Sequence, residues 1–455
     1  IVRILLVSLN NETKPYPVFP LGLAYVAAAV PPGHDVRTVD LCVEEDLGAL
    51  DDPLFRPDLV GISVRNVDNL TFPLSESYVP FLKKVVEALK AAAPSARIVL
   101  GGSGYSLFPE ELLGYLGLAL GIVGEGEEAF AWIIGHLEDG RLHEAPSLAW
   151  IARDGSFRQN PPNFHRPFRG RPDRSLFSTG HYLVEGGMAN VQTKRGCRYK
   201  CIYCTYPAID GSTIRLREPA DIVDEIEGLV REAGVEYVYF VDDIFNEPPA
   251  HAEAVCDEIL RRGLSVRWTG FVNPTKLSRD LLSKMKAAGC EGIELGTDTG
   301  SPAVMRTMRK SFSVESVRRA ADDCRSLGLP FCHYLIFGGP GETRETFMET
   351  VRLMEETDPT AVIAMIGPRI YPMTELEAIA RREGVVSEGD SLLFPRFYVS
   401  PAMGAEWALD FLRDYCRAHR NWVVPGLEIN TGRDVTRVLR SRYRAAGPLW
   451  SRLRK

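Results

Sequence analysis

Cys197, Cys201 and Cys204 place three thiols within eight residues at a C-x3-C-x2-C spacing. Four thiolates would saturate a tetrahedral metal or hold a cubane iron–sulfur cluster, whereas three leave one corner open for a substrate or cofactor. The flanking Lys194, Arg195, Arg198, Tyr199 and Lys200 are poor core composition, so buried packing is a weak account of these thiols. A closed zinc site would want a second Cys or His pair at matched spacing; His181, sixteen residues upstream, stands alone.

Elements that can hold such a loop surround it. Strands are expected at 189–194, 237–241, 266–271, 292–296, 331–337 and 361–370, with helices at 221–233, 251–262, 279–288 and 314–327 between them. That alternation predicts a partial TIM barrel from about residue 185 to 394, with its chemistry at the carboxyl ends of the strands. Asp242, Asp243 and Asn246 fall at one such end, Glu294 and Asp298 flank another, and Gly338-Gly-Pro-Gly-Glu-Thr closes a third.

The front of the chain alternates in the same way. Strands are expected at 2–8, 35–41, 58–64, 97–100 and 121–123 and helices at 21–30 and 79–93, which gives an α/β, doubly wound parallel sheet over 1–147. Such sheets bind ligands at the carboxyl ends of their strands. The loops at 10–20, 65–72 and 101–108 sit there, and glycine at 101, 102 and 104 permits close approach of backbone to a ligand, or simply tight turns. Residues 148–184 are rich in Pro and Arg and read as a linker. Residues 395–455 read as a mostly helical domain containing Trp407, Tyr415, Trp422 and Trp450, with basic stretches such as 437–444, either as a solvated cap or as a lid over a substrate.

With 455 residues, two or three domains are expected, and 45% hydrophobic with 25% charged residues is soluble globular composition. A net charge of −7 supplies no basic field, so a polynucleotide substrate is disfavoured. No stretch has the length of a membrane span, and scattered cysteines without a secretory signal point to a reducing, cytoplasmic setting. The chain opens on Ile rather than Met and reads as trimmed at its front.

The C-x3-C-x2-C motif, with aromatic Tyr203 before its third Cys, resembles the radical S-adenosylmethionine (SAM) superfamily. The resemblance implies a [4Fe-4S] cluster on Cys197, Cys201 and Cys204, chelated at its open corner by SAM. It further implies SAM contacts at Tyr203, at Asp243 (ammonium; a helix N-cap is the alternative), at Glu294 and Asp298 (ribose and carboxylate), and at Gly339, Gly341 and Tyr371 (adenine; core packing also suits the last wall).

The front resembles the cobalamin-binding domain that precedes many radical SAM cores. The resemblance rests on Pro20-Leu-Gly-Leu, Gly33-His-Asp-Val, Asp58-Leu-Val-Gly-Ile-Ser, Gly101-Gly and Gly124-Glu-Gly-Glu in order. It implies cobalamin contacts at Arg65, Asn66, Gly101, Gly102, Ser103, Gly124 and Glu125. The Asp-x-His-x-x-Gly motif that supplies a cobalt ligand is absent, and His34 has the wrong spacing. Arg65, beneath the corrin, would instead disfavour a lower ligand and ease transfer of methyl as a cation.

Together these resemblances imply a cobalamin-dependent radical SAM methyltransferase. One SAM methylates the cobalamin, and a second is split to a deoxyadenosyl radical that activates the acceptor carbon; polar methyl transfer is the variant. A non-methylating rearrangement, ring contraction or cyclisation is the runner-up, and a cobalamin sensor or carrier comes next. A small-molecule or peptide substrate and a flavodoxin- or ferredoxin-type reductant are the expected partners.

Overall fold

A computed structural model describes residues 1–10, 12–13, 15–44, 46–164, 167–429 and 446–453. Its N-terminal sheet has seven strands in the order β2-β1-β3-β4-β5-β6-β7: β1 Arg3–Ser8, β2 Asp35–Asp40, β3 Leu59–Ser63, β4 Arg97–Gly101, β5 Leu120–Ile122, β6 Leu148–Ile151 and β7 Phe157–Gln159. The first five are parallel, and β1 (RILLVS) is buried at every position after Arg3, as a strand covered on both faces must be. Helices such as Leu21–Ala28 and Val79–Ala92 cover the faces.

Strands β6 and β7 correct the expected linker. Residues 148–159 extend the sheet as an antiparallel edge, because Leu148 and Ala149 are apolar enough to bury against β5. Helix Thr179–Gly186 then leads into the second unit.

The second sheet is also seven-stranded and parallel, in the order β16-β15-β14-β13-β12-β11-β8: β8 Ala189–Val191, β11 Tyr237–Phe240, β12 Arg267–Val272, β13 Ile293–Asp298, β14 Phe331–Phe337, β15 Ala361–Ile366 and β16 Trp422–Val423. The strand expected over 189–194 breaks after Val191. Its last residues instead form β9 (Lys194–Arg195), which pairs antiparallel with β10 (Arg215–Leu216) and brackets the cysteine loop.

The tail also departs from a separate helical domain. Helix Ala405–Ala418 stacks Trp407, Phe411 and Tyr415 along one face, with ring centroids 5.6 and 5.5 Å apart at i,i+4 spacing, and packs on Phe347 beneath the sheet. Trp422 continues into β16 beside β15, so this segment completes the core sheet rather than covering a cavity as a lid. The basic stretch 437–444 lies outside the described residues.

One hydrophobic cluster runs through both units, joining Leu107, Phe108 and Leu112 of the first to Ile202, Met308, Ile370 and Leu376 of the second. A shared apolar core fixes the two sheets against each other far better than a wet domain interface.

Candidate functional site

Two cavities lie where the sheets meet. The first, about 320 Å³, sits over the carboxyl ends of β1, β3 and β4 and is lined by Ser63, Arg65, Gly101, Gly102, Ser103, Gly124 and Glu125, with Pro20 to Leu23 and Phe130 as apolar walls. Gly102 adopts φ +92°, and a Cβ there would stand 2.6 Å from the Val64 carbonyl oxygen, so only glycine permits this floor. Six of the seven residues expected to meet cobalamin therefore line this space. Asn66 belongs to the same loop but lines neither cavity.

The second cavity, about 600 Å³, is lined by Cys197, Cys201 and Cys204 together with Tyr199, Tyr203, Tyr206, Tyr239, Asp243, Phe271, Asp298, Lys310 and Tyr334. Val18, Phe19, Arg65, Asn190 and Val241 line both cavities, which makes them neighbours through a shared wall.

The cysteine loop is closed by the Cys197 N–H, which donates to the Gly211 carbonyl at 3.1 Å. Gly196 before it has φ +92° and packs on the Thr213 carbonyl, where any Cβ would be 2.2 Å away. Burial pushes the Cys197 thiol up to about 11 and the Cys204 thiol up to about 12, and raises Cys201 as well. Iron must therefore displace protons from thiols that are otherwise neutral at pH 7. All nine cysteines are free, and among the described residues no trio of His, Cys, Asp or Glu converges as a single-ion site would. Three thiols lining one cavity would leave one corner of a cubane cluster open to a guest in that space.

Asp243 fits a cationic guest. Its Oδ2 is buried without a hydrogen-bond partner, and burial, then the nearby Asp210 and Asp242, holds its carboxyl well above the usual range. An ammonium supplied at this point would satisfy the orphaned oxygen. Neighbouring Asp242 is already committed, accepting the Thr193 N–H at 2.6 Å and Lys194 Nζ at 3.1 Å.

A register shift in the pairing of β13 with β14 between Leu295 and Asp298 re-aims the strand end, and Asp298 takes φ +59°. Its carboxylate accepts Lys310 Nζ at 2.6 Å and the Tyr203 hydroxyl, all three lining the thiol cavity. Lys310 carried no spacing signal and was missed in the sequence. Tyr239 and Tyr334 were missed for the same reason, being alternate residues of ordinary-looking strands.

Four expected SAM contacts are placed elsewhere. Glu294 lies deeper than the cavity, near the start of β13, where it accepts the Tyr239 hydroxyl at 2.6 Å and Trp450 Nε1 at 2.7 Å; of this strand only Gly296 and Asp298, toward its carboxyl end, line the guest space. Gly339 packs on Met308, where a Cβ would meet Sδ at 2.7 Å, and Gly341 lies beside Thr307. The Met308 carbonyl accepts the Ile202 N–H at 3.3 Å, so this turn buttresses the cysteine loop, while Leu335 and Ile336 of β14 reach the cavity. Tyr371 is drawn into the junction of the units between Phe108 and Arg369.

The sequence matches the B12 binding domain over residues 8–134 and the Radical SAM superfamily over residues 191–354. The chain carries a B12-binding domain and a radical SAM domain. These two domains imply cobalamin, SAM and a [4Fe-4S] cluster as its cofactors. Among curated relatives, the tryptophan 2-C-methyltransferase of Streptomyces laurentii is 25% identical over 383 residues, covering 70% of this chain and 63% of that protein. The cytidylyl-2-hydroxyethylphosphonate methyltransferase of Streptomyces wedmorensis is 25% identical over 450 residues, covering 85% and 82%. The fold is that of the radical SAM methyltransferase TsrM from Kitasatospora setae, solved with cobalamin and a [4Fe-4S] cluster bound: TM-score 0.87, 24% identity, 99% of this chain and 97% of that one. No helix among the described residues is long and apolar enough to cross a membrane.

Proposed function

We propose that this protein is a cobalamin-dependent radical SAM methyltransferase that moves a methyl group from SAM to a carbon of a small molecule. The observation that carries this reading is the shared wall: a cavity over the B12-binding sheet and a cavity lined by three cluster thiols meet at Arg65, Phe19 and Asn190. Relatives that methylate tryptophan or a cytidylyl phosphonate support methyl transfer to a compact acceptor.

Bound at these places, cobalamin supplies a methyl carrier, and the cluster with SAM supplies reducing and radical chemistry. The chain's own residues bind, orient and exclude water. Gly101, Gly102 and Ser103 let a large planar guest lie against the strand ends; Gly124 and Glu125 close its side. Cys197, Cys201 and Cys204 hold the cluster. Asp243 would take the ammonium of SAM, and in the Tyr203–Asp298–Lys310 group, where the Tyr203 hydroxyl is spent on Asp298, Lys310 would offer its remaining N–H donors to the carboxylate or ribose.

Arg65 faces both spaces. Burial pushes its guanidinium below its usual pKa, and among the described residues no ion pair or side-chain hydrogen bond compensates it. A cation held there offers no lone pair to a metal and repels positive charge on it, which favours loss of a methyl as a cation. Reduction by a flavodoxin- or ferredoxin-type donor and a cytoplasmic setting fit nine unbridged cysteines.

The test is to incubate the anaerobically reconstituted protein with methyl-labelled SAM and small-molecule extracts. Labelled methyl in an acceptor, dependent on added cobalamin and lost in Cys201→Ala, is the expected result. An altered but unlabelled product would replace this reading with a rearrangement.

A further inference from the structure

The cysteine loop is held at both ends by the cobalamin-binding domain. Arg195 of β9 and Arg215 of β10 are direct cross-strand partners, and residues 196–214 between them carry all three cluster thiols. Two guanidinium groups side by side repel unless countercharge is supplied. It comes from the segment after β5: Glu127 Oε1 pairs with Arg195 Nη2 at 2.7 Å, Glu125 Oε2 pairs with Arg195 Nη1 at 3.1 Å, and the other oxygen of Glu125 pairs with Arg215. Arg195 is further fixed by lying 4.9 Å over the Tyr25 ring and 4.1 Å over the Phe168 ring. The arginine side chains retain only 8% and 6% exposure, so these contacts are poorly screened.

Glu125, Glu127 and Arg195 also line the first cavity. A guest there touches the same groups that fix the two ends of the cluster loop. We propose that Glu125 and Glu127 are positioning residues for the iron–sulfur loop, forming a clasp through which cobalamin binding and cluster holding favour each other. This rests on the two-cofactor reading above. Glu125 is thereby primarily a partner of arginine and only secondarily a wall of the cobalamin space. Coupling of this kind is reciprocal, so a filled cluster site must tighten cobalamin binding by the same factor that cobalamin tightens cluster holding.

The experiment is an anaerobic absorbance titration of the full chain with hydroxocobalamin, in the cluster-loaded protein, in the cluster-free protein and in Cys201→Ala. The cluster-loaded wild type is expected to bind at least about fivefold more tightly than either cluster-free form. Glu127→Gln should bring that ratio close to one, and Glu127→Asp should restore part of it. A purely structural role would weaken both forms equally and leave the ratio unchanged, which would overturn the inference, as would a wild-type ratio of one. If Glu127→Gln does not fold by circular dichroism, Glu125→Gln serves in its place with the same criterion. Binding of iron and cobalamin without coupling defeats the clasp alone; failure of the wild type to bind either one defeats the two-cofactor reading with it.

Discussion

Arg369, from the core just after β15, donates Nε to Asp68 Oδ2 at 2.9 Å, three residues beyond Arg65 in the loop after β3. Both side chains are almost fully buried, and Arg369 also donates to the carbonyls of Ile370, Leu392 and Arg396. The loop that carries Arg65 is therefore anchored by the opposite domain.

Breaking that pair should be costly, because Arg369→Met leaves Asp68 buried and uncompensated. A loss of about 3–5 kcal/mol is expected in urea unfolding. Asp68→Asn with Arg369→Met should recover part of it, and hydroxocobalamin binding should weaken in the single variant. A loss below 1 kcal/mol would show that the pair does not hold the loop.

Asp243→Asn keeps the shape of the side chain and removes its charge. SAM binding to the cluster-loaded protein should weaken on the order of tenfold, equivalent to about 1.4 kcal/mol, while iron content stays unchanged. Calorimetric titration with SAM measures it; equal affinity would leave the orphaned oxygen without this role.

Gly102→Ala forces a Cβ into the Val64 carbonyl and a side chain into positive φ. The expected cost is about 1–3 kcal/mol of stability with weaker cobalamin binding, since the floor of the cavity must shift. Unchanged cobalamin affinity would place the guest away from this floor.

Glu342 is buried and accepts the Gly339 N–H at 3.2 Å along with the Gly338 N–H, yet burial pushes its carboxyl up to about 7. The folded chain thus keeps a proton that the unfolded chain releases near pH 4.5. Its contribution to stability is fully present below that value and is lost as pH rises through about 7. Urea midpoints measured between pH 5 and pH 8 should fall more steeply in wild type than in Glu342→Gln; parallel curves would contradict the assignment.

Much of this was legible in the sequence, for physical reasons that differ by region. Continuous apolar runs such as 3–8 and Gly-rich strand ends define a parallel sheet and its binding edge, so the cavity residues 65, 101–103 and 124–125 could be named in advance. The cysteine spacing is local and needs no fold to be read. What failed depended on how far along its strand a side chain sits and on which distant neighbours claim it. Glu294 and Asp298 lie on one strand, but only its carboxyl end reaches the cavity and Glu294 is spent deeper on Tyr239 and Trp450, while Gly339 is carried past the cavity into contact with Met308. Residues 148–159 hid their strands behind turn-rich neighbours, and Trp422 gave no hint that it would finish a distant sheet. The partnership of Glu127 with Arg195 joins two domains and left no mark in local pattern, although an arginine beside Gly196 and Cys197 was a visible cue.

In the proposed enzyme one chain holds an iron–sulfur cluster and cobalamin on either side of the wall formed by Arg65, Phe19 and Asn190. Iron, sulfide and cobalt should be counted per chain after anaerobic reconstitution with hydroxocobalamin, in wild type and in Cys201→Ala. About four irons and one cobalamin in wild type, with iron lost in the variant, is the predicted result. Cobalamin without iron in wild type, or iron retained in Cys201→Ala, would contradict it.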